Sequence, residues 1–218
     1  MAASFTWRGV LYAGGLSATA GFVDAVAYLH LGGYFVSFMS GNTTRASSDL
    51  IHGSLVGAGL AFGLVGFFAL GVVASTLAFR RAETYRRALV LSLAGLLLTA
   101  AALLPDVGAE PATPPLLAMA MGVVNTVYTR NGEVSVGLTY MTGTLVKIGQ
   151  NFAAALTGGP HEPWLKYLCL WVMISLGAII GATAYHFTAL RSLWAATATL
   201  AVWTVMALAQ GRRARIQA

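Results

Sequence analysis

Asp24 stands inside an apolar run covering residues 10–31, where an ionised carboxylate meets little water. A helix rises about 1.5 Å per residue, which puts Asp24 roughly 20 Å beyond Val10 and past the middle of a bilayer core about 30 Å thick. An acid at that depth costs about 2.5–3.5 kcal/mol on insertion scales and must face a partner, a cavity or water. Three chemistries suit it: a proton or cation site, a hydrogen-bond anchor for a polar solute, or a clasp on neighbouring backbone. Gly21 and Tyr28 share its helix face, where the glycine admits a second backbone and the phenol adds a hydroxyl.

A second polar set follows at Met39, Ser40, Gly41 and Asn42, with Thr43, Thr44 and Arg45 behind it. Both sets return about a hundred residues later, the sign of a duplicated membrane unit. Gly122 and Asn125 answer Gly21 and Asp24, while Met141, Thr142, Gly143, Thr144 and Lys147 answer Met39, Ser40, Gly41, Asn42 and Arg45. Residues 70–78 also return, as 176–184. The candidate binding or coupling residues are therefore Asp24, Tyr28, Asn42, Thr43, Thr44, Asn125, Thr142 and Thr144, with a structural role in the turns as the alternative for the threonines. Arg45, Arg130 and Lys147 are candidate path or gate charges. Snorkelling to headgroups is the alternative for Arg45 and Lys147, and Arg130 can pair with Glu133 if a helix continues there.

The elements that must position these residues are membrane spans. The chain has 218 residues, 57% hydrophobic and 9% charged, with a mean hydropathy of +0.74; one soluble core cannot hide that much apolar surface. Six stretches can span, at roughly twenty apolar residues each: residues 10–31, 55–79, 88–104, 115–128, 164–187 and 193–209. The expected fold is an all-α polytopic membrane protein, a single domain over 1–218, with a first repeat at 10–104 and a second at 112–210. Three spans per repeat is an odd number, so the second copy enters from the opposite side and the repeats are inverted. Residues 34–45 and 134–152 interrupt the pattern and read as broken or re-entrant segments, with Gly41 and Gly143 at their turns. Non-helical backbone at membrane depth survives only where protein or a water-filled cavity satisfies it.

Charge sets the orientation. The net charge is +6; Arg80, Arg81, Arg86 and Arg87 crowd one loop and Arg212, Arg213 and Arg215 close the chain, whereas the loop holding Asp106 and Glu110 has no Lys or Arg. The positive-inside rule makes the basic loop and both termini cytoplasmic, and these arginines serve orientation and headgroup contact rather than nucleic acid. Ala18, Thr19 and Ala20 imitate a signal-peptide cleavage site, but Gly14 and Gly15 interrupt the apolar stretch and the first repeat needs this helix. The lone Cys169 excludes a disulfide within the chain, the four histidines have no metal-ligand spacing, and no hydrolase, zincin or phosphate-loop motif occurs. No metal, no cofactor and no enzymatic activity are expected. The glycine pairs 53 and 57, 59 and 63, and 177 and 181 suit close helix packing, within one chain or in a homodimer.

The motif of Gly21, Asp24 and Tyr28, then Met39-Ser40-Gly41-Asn42, then Tyr140-Met141-Thr142-Gly143-Thr144, resembles the bacterial YoaK-like membrane proteins, a family defined by a domain of unknown function. The resemblance covers nearly the whole chain. Ser40 stands where that pattern has Thr, and either hydroxyl makes the same bond. It implies a compact multi-span protein of the bacterial inner membrane and supplies no activity. Intramembrane polarity and symmetry lead to the expected function: a secondary transporter or channel for a small polar solute, with its site between the repeats and coupled to protons through Asp24. Its partners are then the bilayer and the solute, with no nucleic acid. The alternative is a non-transporting scaffold or accessory binding protein. A lipid- or quinone-modifying enzyme would need a second acid, base or metal beside Asp24, which no spacing provides.

Overall fold

The computed structural model describes residues 5–82, 84–130 and 133–216; the side chains of Arg130 and of residues 213–216 lie outside what is described. Among the described residues the chain forms eight α-helices: α1 (Trp7–His30), α2 (Met39–Ile51), α3 (Leu55–Phe79), α4 (Arg86–Leu103), α5 (Thr113–Val124), α6 (Met141–Leu156), α7 (Glu162–Thr188) and α8 (Leu193–Ile216). A short antiparallel hairpin, β1 (Thr129–Arg130) and β2 (Glu133–Val134), separates α5 from α6. Four helical stretches are long and apolar enough to cross a bilayer: Trp7–His30, Leu55–Phe79, Arg86–Val107 and Glu162–Arg212, the last passing through both α7 and α8. The protein is an all-α, multi-pass membrane protein.

The stretch expected to span at 115–128 is shorter in the fold. α5 is a helix of 12 residues that stops at Val124. The stop is local chemistry: Asn125 Nδ2 donates to the Met121 carbonyl at 2.9 Å and Thr126 Oγ1 to that of Val123 at 2.9 Å. Such side chains compete with the next helical turn for the same carbonyls. Residues 125–128 nevertheless stay buried. Beyond them the chain makes the hairpin rather than more helix, so Arg130 faces Glu133 across a ladder and not along a helix surface.

Glycines set the closest helix contacts. α1 and α7 run parallel and pack along their length, with Gly177 against the Ala18 carbonyl, Gly181 against that of Phe22 and Gly21 against that of Ile174. α3 and α5 do the same through Gly71 against the Met119 carbonyl and Gly122 against that of Phe68. α2 lies on α3, α6 on α7, and α4 on both α5 and α8. The basic residues Arg8 and Arg87 share one end of this bundle with Gln210. At the other end His30 Nε2 lies 3.4 Å from Glu110 Oε1.

Of the three glycine pairs, only Gly177 and Gly181 both abut another helix backbone; a Cβ at Gly59 or Gly63 would meet open space. Gly53 forms the turn into α3 with φ +77°. Gly177→Ala should therefore destabilise the folded protein by about 1–3 kcal/mol, since the Ala18 backbone cannot step aside. Gly59→Ala should be neutral or gain up to about 1 kcal/mol from helix propensity. Thermal unfolding of the two variants in detergent checks the pair, and equal losses would contradict the packing assigned to Gly177.

Candidate functional site

After His30 the chain does not leave α1 but doubles back beside it. Gly32 and Gly33, with φ of +65° and +107°, supply the reversal that an L-residue resists. Leu31 N still donates to the Ala27 carbonyl at 2.8 Å, and residues 32–38 then lie outside any helix until α2 begins at Met39. Asp24 holds this strand of backbone: its Oδ1 accepts from Val36 N at 2.8 Å and from Ser37 N at 2.9 Å. Since Asp24 lies six residues below the end of α1, the returning segment reaches about 9 Å back along the helix.

Asn42 completes the clasp from the other side. Its Oδ1 accepts from Phe35 N at 2.8 Å and its Nδ2 donates to Phe35 O at 2.6 Å, with the side chain fully buried. Three successive backbone donors, Phe35, Val36 and Ser37, are thus met by two side chains. Gly41 is helical, inside the first turn of α2, and carries the Phe38 ring against it. The reversal expected at Gly41 occurs instead at Gly32 and Gly33, where the backbone is left-handed.

The second half repeats the arrangement with weaker chemistry. Asn125 Oδ1 accepts from Thr139 Oγ1 at 3.1 Å, both groups buried, just ahead of the start of α6 at Met141. Ser135 ties the returning chain to the Tyr128 carbonyl through its backbone N (2.8 Å) and its hydroxyl (3.1 Å). Gly143, like Gly41, is helical rather than a turn residue.

Two cavities meet at these segments. One, about 530 Å³, is lined by Asp24, Tyr28, Phe35, Met141 and the α7 face around Ile174 and Ala178. The other, about 440 Å³, lies between Ser37 to Ser40 of one segment and Thr139 to Gly143 of the other, with Phe68 as a wall. Met141 borders both. Neither α2 nor α6 has a side-chain cap at its start, so first-turn N–H groups of both helices remain available toward this region. A third hollow of about 210 Å³ adjoins through Tyr140 and Gly143 and holds Thr144 and Lys147.

The expected residues divide accordingly. Asp24 and Tyr28 line the first cavity, Thr142 the second, and Thr144 and Lys147 the third. Asn42 and Asn125 are buried beneath the walls as positioning groups. Thr43 and Thr44 are exposed, and their hydroxyls return to the Met39 and Ser40 carbonyls. Arg45 braces α2 to the reversal: its Nε lies 3.6 Å from Asp49 Oδ1, its guanidinium 4.8 Å from the Tyr34 ring centre, and Tyr34 donates to Asp49 Oδ2 at 2.7 Å. That donated bond holds the Tyr34 phenol above its ordinary pKa. The side chain of Arg130 lies outside the described residues. Phe35, Ser37 and Thr139 are site residues that sequence reading passed over; Ser37 and Thr139 carry hydroxyls at matched places, two residues before Met39 and Met141.

Asp24→Ala should cost about 3 kcal/mol, because two charge-assisted hydrogen bonds are lost and buried N–H groups are left unmet. Asp24→Asn should cost less than half as much, since the amide oxygen can still accept, as Asn125 does in the second half. Unfolding of both variants in one detergent measures the ratio. Equal effects would mean that Asp24 does not hold the segment.

Residues 13–206 match the family described as "Protein of unknown function (DUF1275)". A UPF0700 transmembrane protein of Rhizobium meliloti (strain 1021) is 32% identical over 209 residues, covering 94% of this chain and 88% of the relative. No solved structure matches the chain.

Proposed function

The chain belongs to the DUF1275 family, and we propose that it is a secondary transporter or channel for a small polar solute, working between two inverted repeats. The observation that carries this reading is the 440 Å³ cavity bounded by both interrupted segments, Ser37 to Ser40 from one and Thr139 to Gly143 from the other. Non-helical backbone is costly in a bilayer unless it is buried or lines a polar space, and such paired interruptions are where transporters place their sites.

Matched contacts support the inverted repeat. Gly21 meets Ile174 O and Ala178 N, and its counterpart Gly122 meets Phe68 O and Val72 N. Gly177 meets Ala18 O, and its counterpart Gly71 meets Met119 O. Each first helix therefore packs on the third helix of the other half, by the same atoms. α1 and α7 run one way and α3 and α5 the other.

In this reading Asp24 couples occupancy to conformation. Its charge strengthens the bonds from Val36 and Ser37, and neutralising it by a proton or a bound cation weakens them and frees the wall of the cavity. Asn125 cannot change charge, so only the first segment is switched. The basic end faces the cytoplasm of a bacterial inner membrane.

Two measurements test the function. In a Cys169→Ala background, Ser37→Cys and Thr142→Cys should react with a membrane-impermeant thiol reagent in intact or inverted vesicles. Failure of both to react from either side would favour the scaffold reading. In a solute-uptake screen with reconstituted protein, Asp24→Asn should remove at least tenfold of any pH dependence while leaving the protein folded. A pH profile like that of the wild type would overturn the coupling role.

A further inference from the structure

A further hollow lies away from the interrupted segments, at the basic end of the bundle. It measures about 720 Å³, and its polar wall carries Arg8 and Arg87 with the hydroxyl-bearing Tyr12 and Tyr128. Among the described residues no carboxylate lines it. Arg87 lies 5.0 Å from the centre of the Tyr128 ring, which orients the guanidinium without neutralising it. Among the described residues neither Arg8 nor Arg87 forms an ion pair. A polar hollow of about 350 Å³ adjoins it, sharing Arg87 and adding Arg86. Arg86 already donates to the Thr126 carbonyl at 2.9 Å, so among the described lining residues Arg8 and Arg87 are the cations left to a ligand.

The other wall is apolar and opens outward. Leu11 and Met206 both line the hollow and are 55% and 42% exposed, on helices that span the membrane. A molecule seated here would have its anionic end between two guanidiniums and its apolar part on a surface that lipid chains cover. Arginine pairs with phosphate through parallel N–H donors, which a diffuse surface charge does not offer. Among the described residues no acid pairs with either guanidinium, and Leu11 and Met206 line the same hollow as the two arginines.

We propose that this hollow is a binding site for a phosphate-bearing anion, held by Arg8 and Arg87, with an anionic phospholipid as the occupant that also fills the Leu11 and Met206 wall. The site is separate from the interrupted segments and does not depend on a transport function. The same chemistry would hold a soluble phosphate ester, without the apolar contact.

Full-length protein in a neutral detergent is titrated with phosphatidylglycerol, with phosphatidylcholine of the same chains, and with glycerol 3-phosphate, reading thermal stabilisation and lipid retention by native mass spectrometry. Phosphatidylglycerol should bind at least about tenfold more tightly than phosphatidylcholine. Removing both guanidiniums in Arg8→Gln/Arg87→Gln should weaken it about 30-fold. Arg80→Gln/Arg81→Gln, which removes as much charge without touching the hollow, should change it less than threefold. Glycerol 3-phosphate binding as well as the lipid assigns the site to soluble phosphate esters and keeps the role of the arginines; binding of the lipid alone assigns it to the membrane. Equal binding of the two lipids, or equal losses in the two double variants, overturns the proposal. Should the first double variant fail to fold, Arg8→Gln alone, at an exposed position, carries the same comparison against Arg80→Gln.

Discussion

The structure turns on three backbone N–H groups that have no helix to satisfy them. Phe35, Val36 and Ser37 sit beside a transmembrane helix, where an unmet donor costs several kcal/mol. Asp24 and Asn42 meet all three at 2.8–2.9 Å. The expense of an acid within α1 and the expense of unwound backbone cancel each other at one point. Remove the clasp and the segment has no reason to lie where it does. α2 could not then begin where it does, and both cavities would lose a wall.

The same problem is solved more cheaply in the second half. Residues 135–139 are tied by Ser135 to the Tyr128 carbonyl and by Thr139 to Asn125, all through uncharged groups. A hairpin and buried residues 125–128 carry the chain back, and Asn125 meets the hydroxyl of Thr139 rather than backbone N–H groups. A second carboxylate at position 125 would have no comparable set of backbone donors and would carry its desolvation cost uncompensated. The asymmetry between Asp24 and Asn125 matches what each accepts, two backbone N–H groups against one hydroxyl.

Sequence reading found Asp24 within an apolar helix, the recurrence of Gly21 and Gly122, and the interruptions around Met39 and Met141, because each rests on period and polarity. It could not choose between a clasp and a solute site for Asp24, since that depends on which backbone returns to it. It put the reversal at Gly41, although a helical glycine and a left-handed one are written with the same letter. The end of α5 at Val124 was hidden for a similar reason: the back-bonding of Asn125 and Thr126 is a weak local preference inside a run that remains apolar and buried. Ser37 and Thr139 were legible in principle, for the repeat aligns them, but a lone hydroxyl in an apolar stretch gives no signal until its partner is known.

Met141 divides two spaces of opposite electrostatic character. On one side the carboxylate of Asp24, with the rings of Tyr28 and Phe35, favours positive charge. On the other, hydroxyl groups and the uncapped starts of α2 and α6 favour negative charge, since helix N-termini carry partial positive charge. No acid is among the residues lining that second space. A flexible thioether between them yields at small cost, whereas the glycine-tight contacts of α1 with α7 and of α3 with α5 do not. Met141 is therefore the yielding part of this partition, while the glycine-locked helix pairs hold the frame.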